Sequence, residues 1–347
     1  MKIVVNDIAA STGGAMTVLR DFYTFVCEHD HENQWIFLLA DRFFEETDHV
    51  KIIPMPQVKK SGLHKLWFDF VSGRRFIKRL QPDAVLSLQN IITFGVKVPQ
   101  AVYIHQSIPF QSVKKFSFLR GAERKLAVVQ HLIGRIIKWS AKRSDLVIVQ
   151  AQWMKDAVCK QCRIPADRVL VNMPTANVTA VPAGEFDQTG FFYPTASGLY
   201  KNNACLFRAS RMLRQQGVEH AVCTTLPPAK SEEGILCTGR QPYEEVLRRY
   251  RTSTLVFPSY IETVGLPLLE ARAAGTIVLA ADTVFAREVL DGYENAYFFD
   301  PFKPEELASL MGKVVSGEIE KRPVAPGSGP VGNSWADVVN AIVERGV

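Results

Sequence analysis

No uninterrupted apolar segment of the 347-residue chain approaches the ~18 residues needed to cross a bilayer, so no membrane-spanning helix is expected. The apolar run within Met1-Lys2-Ile3-Val4-Val5-Asn6-Asp7 is too short for a secretory signal. Cysteine is sparse, six in all, and Cys27, Cys205, Cys223 and Cys237 sit in apolar or helical contexts. Reduced thiols in a cytosolic protein are the expectation, not a disulfide framework. Cys159 and Cys162 have redox-motif spacing, but they end a helical segment and lack the strand-to-helix setting of a redox site. Asp-x-Asp, paired metal-ligand spacings, nucleophile–base pairs and oxidoreductase signatures are missing, so neither a metal nor another cofactor is expected. No internal repeat is visible beyond two α/β halves. The protein is expected to be cytoplasmic, or peripheral on the cytoplasmic face of a membrane.

What is present describes an ordinary globular protein, with 47% hydrophobic and 22% charged residues and length for two cores. The charge is unevenly shared. Residues 1–172 hold 25 Lys and Arg against 15 Asp and Glu, while the remainder is net negative. An anionic partner is therefore expected for the N-terminal half alone. The excess lies in two amphipathic segments. Leu63 to Leu80 carries Lys65, Arg74, Arg75, Lys78 and Arg79; Leu119 to Arg143 carries Arg120, Arg124, Lys125, Arg135, Lys138, Lys142 and Arg143. Two readings stand for these segments: helices on an anionic membrane surface, or core-packed helices with a solvated face. Nucleic acid is not expected, because no recognised binding module accompanies the charge.

Short apolar runs alternate with helical periodicity throughout. In the first half, Lys2–Asn6, Trp35–Ala40, Lys51–Pro54, Ala84–Leu88, Ala101–His105 and Asp145–Gln150 are predicted strands, the last closing the set, with a helix at Gln152–Cys162. This half reads as a Rossmann-like doubly wound sheet. Loop composition places a linker at 173–188. A second series follows: Gly190–Tyr193, His220–Thr224, Ile235–Thr238, Leu255–Phe257, Thr276–Ala280 and Ala296–Phe299. The predicted division is 1–172, the linker, 189–321, and a Pro/Gly/Ser-rich stretch leading to a last helix within 322–347.

The second half is organised around residues 254–280. A buried run ends at Pro258, Gly265 and Pro267 open a helix, and Gly275 closes it before the next buried run. Glu262 lies in the loop and Glu270 in the helix. A helix N-terminus suits a phosphate, and carboxylates accept hydrogen bonds from sugar hydroxyls. The combination suits a ligand with a diphosphate between two polyols, that is, a nucleotide-sugar.

The stretch Pro258-Ser259-x-x-Glu262-x-x-Gly265-Leu266-Pro267-x-x-Glu270-Ala271-x-x-x-Gly275 resembles the Glu-x7-Glu signature of the family-4 retaining glycosyltransferases, which have the GT-B fold. The resemblance implies two Rossmann-like domains facing across a cleft, with the C-terminal helix crossing back to the first. It implies that Glu262 contacts the donor sugar and Glu270 the ribose, while backbone amides around Val264, Gly265 and Leu266 meet sugar and diphosphate. Thr263-Val264-Gly265 replaces the family's Gly-Phe-Gly, so donor identity does not carry over. In the family an Arg…Lys pair stabilises the leaving diphosphate; Lys201 matches the lysine, but Thr195, Ser197 and Gly198 occupy the arginine's region, and Arg240 is a candidate substitute. His105 matches a histidine that faces the donor sugar, and Gly13-Gly14 a glycine pair near the donor phosphate. His105, Lys201 and Glu262 are thus the implied catalytic residues. The implied activity is metal-independent transfer of a hexose-type sugar from a nucleotide-diphospho-sugar to a glycan or lipid-linked acceptor, in cell-surface polysaccharide synthesis. A nucleotide-sugar epimerase or hydrolase of the same fold, or a non-catalytic donor-binding partner subunit, is the alternative.

Overall fold

The computed structural model describes residues 1–10, 14–176, 184–324 and 334–346. They form two units, one of 1–119, 124–173 and 333–347, the other of 120–123 and 174–332.

The N-terminal unit is built on seven parallel strands: β1 Lys2–Asp7, β2 Gln34–Leu39, β3 Val50–Pro54, β4 Ala84–Ser87, β5 Gln100–Ile104, β6 Leu146–Val149 and β7 Val169–Val171, in the order β3-β2-β1-β4-β5-β6-β7. The central strands are buried on both faces, which is why they read as continuous apolar runs and not as alternating ones. The chain leaves β1 toward β2 on one side, and β4 starts the series on the other, so the β1/β4 boundary is the topological switch point. The sequence expectation that Asp145–Gln150 closes the sheet is corrected by β7, a three-residue edge strand pairing Val147 with Val169.

The helix Gly14–His29 packs Leu19, Phe22 and Val26 on one face of this sheet. The C-terminal helix Trp335–Gly346 covers the same face. Trp335 meets Phe22 at 4.8 Å and Tyr103 at 5.6 Å between ring centroids, and Val338, Val339 and Ile342 join Ile3 and Leu86 in the core. Burying these side chains contributes roughly 1.5–3 kcal/mol each. The first basic segment is helical through Gly62–Trp67, a wider π-type turn at Phe68–Ser72, and Gly73–Leu80. The second begins only at Arg124, since 119–123 are turns, and it too contains a π-type turn, Val128–Ile133, before Gly134–Arg143.

The C-terminal unit has six parallel strands: β8 Asp187–Tyr193, β9 Ala221–Thr224, β10 Ile235–Cys237, β11 Ser253–Phe257, β12 Val278–Ala281 and β13 Ala296–Phe299. Their order is β10-β9-β8-β11-β12-β13, so its switch point lies between β8 and β11. β8 begins inside the stretch assigned to the linker, whose residues 177–183 lie outside the described ones.

Candidate functional site

The loops leaving β8 and β11 bring together residues 61 apart in sequence. Lys201 Nζ donates to Glu262 Oε1 at 2.6 Å, and Ser259 Oγ donates to the same oxygen at 2.6 Å. The backbone holding them is itself tied. Tyr193 OH donates to Lys201 O (2.8 Å), the amide of Tyr260 to Tyr200 O (3.0 Å), and Asn202 Nδ2 to Pro258 O and Pro301 O. The β8 loop is thereby laced to the β11 loop at the carboxyl ends of the strands, where open α/β sheets bind ligands.

Gly265 adopts φ +80°, and a side chain there would crowd Leu268 and Phe257. Its left-handed turn starts the helix Leu266–Ala273, which has Pro267 in its first turn and no side-chain cap. Uncapped amides and the positive dipole end suit an anion. Val264 is buried; Leu266 is exposed.

Glu270 is held differently. Tyr243 OH donates to Oε1 and Tyr250 OH to Oε2, each at 2.9 Å. Burial raises the Glu270 pKa, and the two hydroxyls partly offset this by stabilising the carboxylate. Tyr250 is 1% exposed and Tyr243 53% exposed, so one phenol is locked in the core while the other borders solvent. Tyr243 also lines a recess of about 570 Å³ with Arg240, Gln241, Pro242 and Val246. Arg240 is therefore on the Glu270 side of the unit. A different cation stands where the sequence shows no arginine: Lys230 Nζ donates to Ser197 Oγ at 3.1 Å.

In the N-terminal unit His105 follows β5. Asn90 Oδ1 accepts from the backbone amides of His105 (2.8 Å) and Gln106 (2.9 Å), which orients the Asn90 amide to donate from Nδ2 to His105 Nε2 at 3.0 Å. The neutral ring then carries its proton on Nδ1, and burial lowers its pKa to about 4. Gly14 opens the first helix in open space; Gly13 lies outside the described residues. At the β1/β4 switch point Asp7 is 1% exposed. Burial raises its pKa to about 7, against the Ala10 backbone amide and the fields of Lys65 and Lys59.

Sequence reasoning singled out Lys201 and Glu262 without foreseeing that they pair. It missed Lys230, Tyr243, Tyr250, Asn90 and Asp7. Only Asp7 had a signal, an acid at the end of the first strand. Cys162, at the end of its helix, is buried and its thiol is pushed up to about 11, which leaves it unreactive.

Two parallel α/β units of this order define the GT-B class, and comparison with solved structures agrees. The apo lipopolysaccharide outer core galactosyltransferase WaaB superposes with a TM-score of 0.63 at 16% identity, over 99% of this chain and 95% of that one. Anabaena Alr3699/HepE in complex with UDP-glucose gives 0.64 at 16%, over 92% and 90%. Sucrose-phosphate synthase of Thermosynechococcus elongatus gives 0.64 at 13%, over 99% and 97%. A family model described as Glycosyltransferase Family 4 matches residues 12–172, and one described as glycosyl transferases group 1 matches 229–325. The two family matches together support a glycosyltransferase of the family-4 type. Among curated proteins it is similar to the D-inositol 3-phosphate glycosyltransferase of Nocardia farcinica, 30% identical over 161 residues (44% of this chain, 30% of that protein). That of Corynebacterium jeikeium is 38% identical over 76 residues (22% and 18%). The matches thus span less than a third of either curated relative.

Proposed function

We propose that the protein transfers a sugar from a nucleotide-diphospho-sugar to a hydroxyl of a glycan or lipid-linked acceptor, in cell-surface polysaccharide synthesis and with retention of anomeric configuration. The observation that carries this is the β8/β11 switch point, where a lysine, a carboxylate and an uncapped helix start converge. Without ligand, Lys201 and Glu262 neutralise one another. A bound diphosphate draws Lys201 toward its oxygens, and Glu262 is released to accept hydrogen bonds from the sugar. The helix start supplies amide donors to the same phosphates, and Glu270, steadied by its two tyrosines, accepts from the ribose. Charge growing on the leaving diphosphate is met by Lys201 and, from the Ser197 side, by Lys230, so that no metal is needed.

The acceptor is assigned to the N-terminal unit, together with an anionic membrane surface that its positive charge attracts. His105, neutral at physiological pH, serves there as a hydrogen-bonding group and not as a cation. Screening nucleotide-sugars by thermal shift tests the donor. One present at 100 times its dissociation constant adds about 2.7 kcal/mol. Product analysis with and without acceptor then separates transfer from hydrolysis or epimerisation. Stabilisation by no nucleotide-sugar would refute the proposal.

A further inference from the structure

The two basic helical segments of the N-terminal unit also carry many of its exposed large apolar side chains. On the first, Leu63, Leu66, Trp67, Phe70 and Val71 recur at spacings of three and four and line a shallow recess of about 540 Å³. Leu63 is 79% exposed and Trp67 63%. On the second, Leu132, Ile136 and Trp139 share one stripe, with Leu132 51% exposed and Trp139 40%. The stripes are joined. Trp139 stacks on Phe70 at 5.8 Å and 20°, and both rings stack on Phe94, at 4.2 and 4.5 Å. A single apolar surface therefore crosses both segments.

The charge around this surface has one sign. Within 62–80 the sole acid is Asp69, fully buried and paired with Lys65 at 2.6 Å; within 124–143 there is none. Arg143 places its guanidinium over the Trp139 ring at 4.8 Å, and the stem of exposed Arg74 lies against Gly95, next to Phe94. Arg75, Arg135 and Lys142 are exposed as well. A surface whose centre is Leu and Trp and whose rim is Arg, with no exposed acid on either segment, complements a partner that is apolar inside and anionic at its face. An anionic lipid bilayer has that chemistry.

We propose that this face inserts into anionic membranes, with Leu63 and Trp67 entering the acyl boundary and Arg74 and Arg143 held at the headgroups. This deepens the anionic-membrane part of the proposed function and uses no feature of glycosyl transfer. The test is sedimentation of the full chain with phosphatidylcholine vesicles, with and without phosphatidylserine, beside quenching of tryptophan emission by brominated acyl chains. The expected result is binding to the anionic vesicles, with quenching that falls in Trp67→Phe. Leu63→Ser with Trp67→Ser should weaken partition roughly tenfold or more, and Arg74→Ala or Arg143→Ala about fivefold each. These side chains are exposed, so circular dichroism and nucleotide-sugar binding should match the parent. Salt-sensitive binding without quenching, and unchanged by Leu63→Ser with Trp67→Ser, would leave electrostatic attachment standing and overturn insertion. No binding to anionic vesicles would overturn both. Self-association, or capture of an acidic protein, that the same substitutions abolish while vesicles stay unbound would give the face to another occupant and also overturn insertion.

Discussion

Replacing Glu270 by alanine should damage two separable things. The carboxylate accepts one hydrogen bond from Tyr243 and one from Tyr250, both at 2.9 Å. Tyr243 is half exposed and finds water when its partner is lost. Tyr250, 1% exposed, does not, and an unsatisfied buried hydroxyl costs ~1–3 kcal/mol. Folding is therefore not indifferent to this change, although a cleft-facing glutamate read from sequence alone would be neutral. The melting temperature should fall by roughly 2–4 °C for each kcal/mol lost. Separately, losing the charge-assisted hydrogen bond to the ribose should weaken donor binding by ~1.5–3 kcal/mol, about ten- to hundredfold in Kd. Adding Tyr250→Phe removes the stranded hydroxyl, so the double variant should recover stability and not affinity. Calorimetric donor titration beside thermal unfolding of the four proteins in the cycle measures both quantities. The reasoning is refuted if Glu270→Ala binds donor like the parent, or if Tyr250→Phe restores affinity along with stability.

Other consequences follow from the same geometry. Lys230→Ala, removing the cation beside Ser197, should lower kcat more than it raises donor KM, whereas equal kinetics would remove Lys230 from the site. Asp7, with its pKa raised from an ordinary 3.8 to about 7, keeps a proton in the folded state that the unfolded chain releases. Its contribution is full below pH ~4 and declines by roughly 4 kcal/mol as pH rises to 7. Asp7→Asn should flatten that decline in denaturant titrations at several pH values. His105 works in the opposite sense: its folded pKa is lowered from 6.5 to about 4, so its stabilisation is present above 6.5 and lost as pH falls toward 4, and His105→Gln should reduce the loss. Turnover should survive EDTA, and NMR of the product should show the donor's anomeric configuration. Inversion, or chelator-sensitive activity restored by Mg²⁺ or Mn²⁺, would contradict this chemistry.

The strands were legible because they are buried on both faces, so Val4-Val5 or Leu255-Val256-Phe257 stand out as apolar runs between polar loops. β7 was not. Three residues on a sheet edge carry too little apolar periodicity to be separated from a loop. Leu119 looked like a helix start, yet Gly121 weakens helix there and the helix forms only from Arg124. At the candidate site, Gly265 and Pro267 disclosed the turn and the helix because their backbone preferences are local. Tyr250–Glu270 and Lys230–Ser197 are contacts across 20 and 33 residues. The first exists because the helices Tyr243–Thr252 and Leu266–Ala273 pack together, the second because the loops after the neighbouring strands β8 and β9 meet, and linear spacing encodes neither. The exposed apolar surface was hidden for a related reason. Periodicity reveals that Trp67 and Trp139 lie on helix faces, but not that these faces meet through Phe70.

The central claim is that the β8/β11 switch point grips the diphosphate of a nucleotide-sugar, and titration of nucleoside diphosphates into the parent chain and Lys201→Ala tests it most directly. Lys201 Nζ, 2.6 Å from Glu262 in the unliganded chain, should turn to the phosphates. The parent should bind one nucleoside diphosphate saturably, and Lys201→Ala should bind it at least tenfold more weakly, for the loss of a charge-assisted contact of ~1.5–3 kcal/mol, with its fold intact by circular dichroism. Equal affinity in the two proteins, or no nucleoside diphosphate binding to the parent, would contradict it.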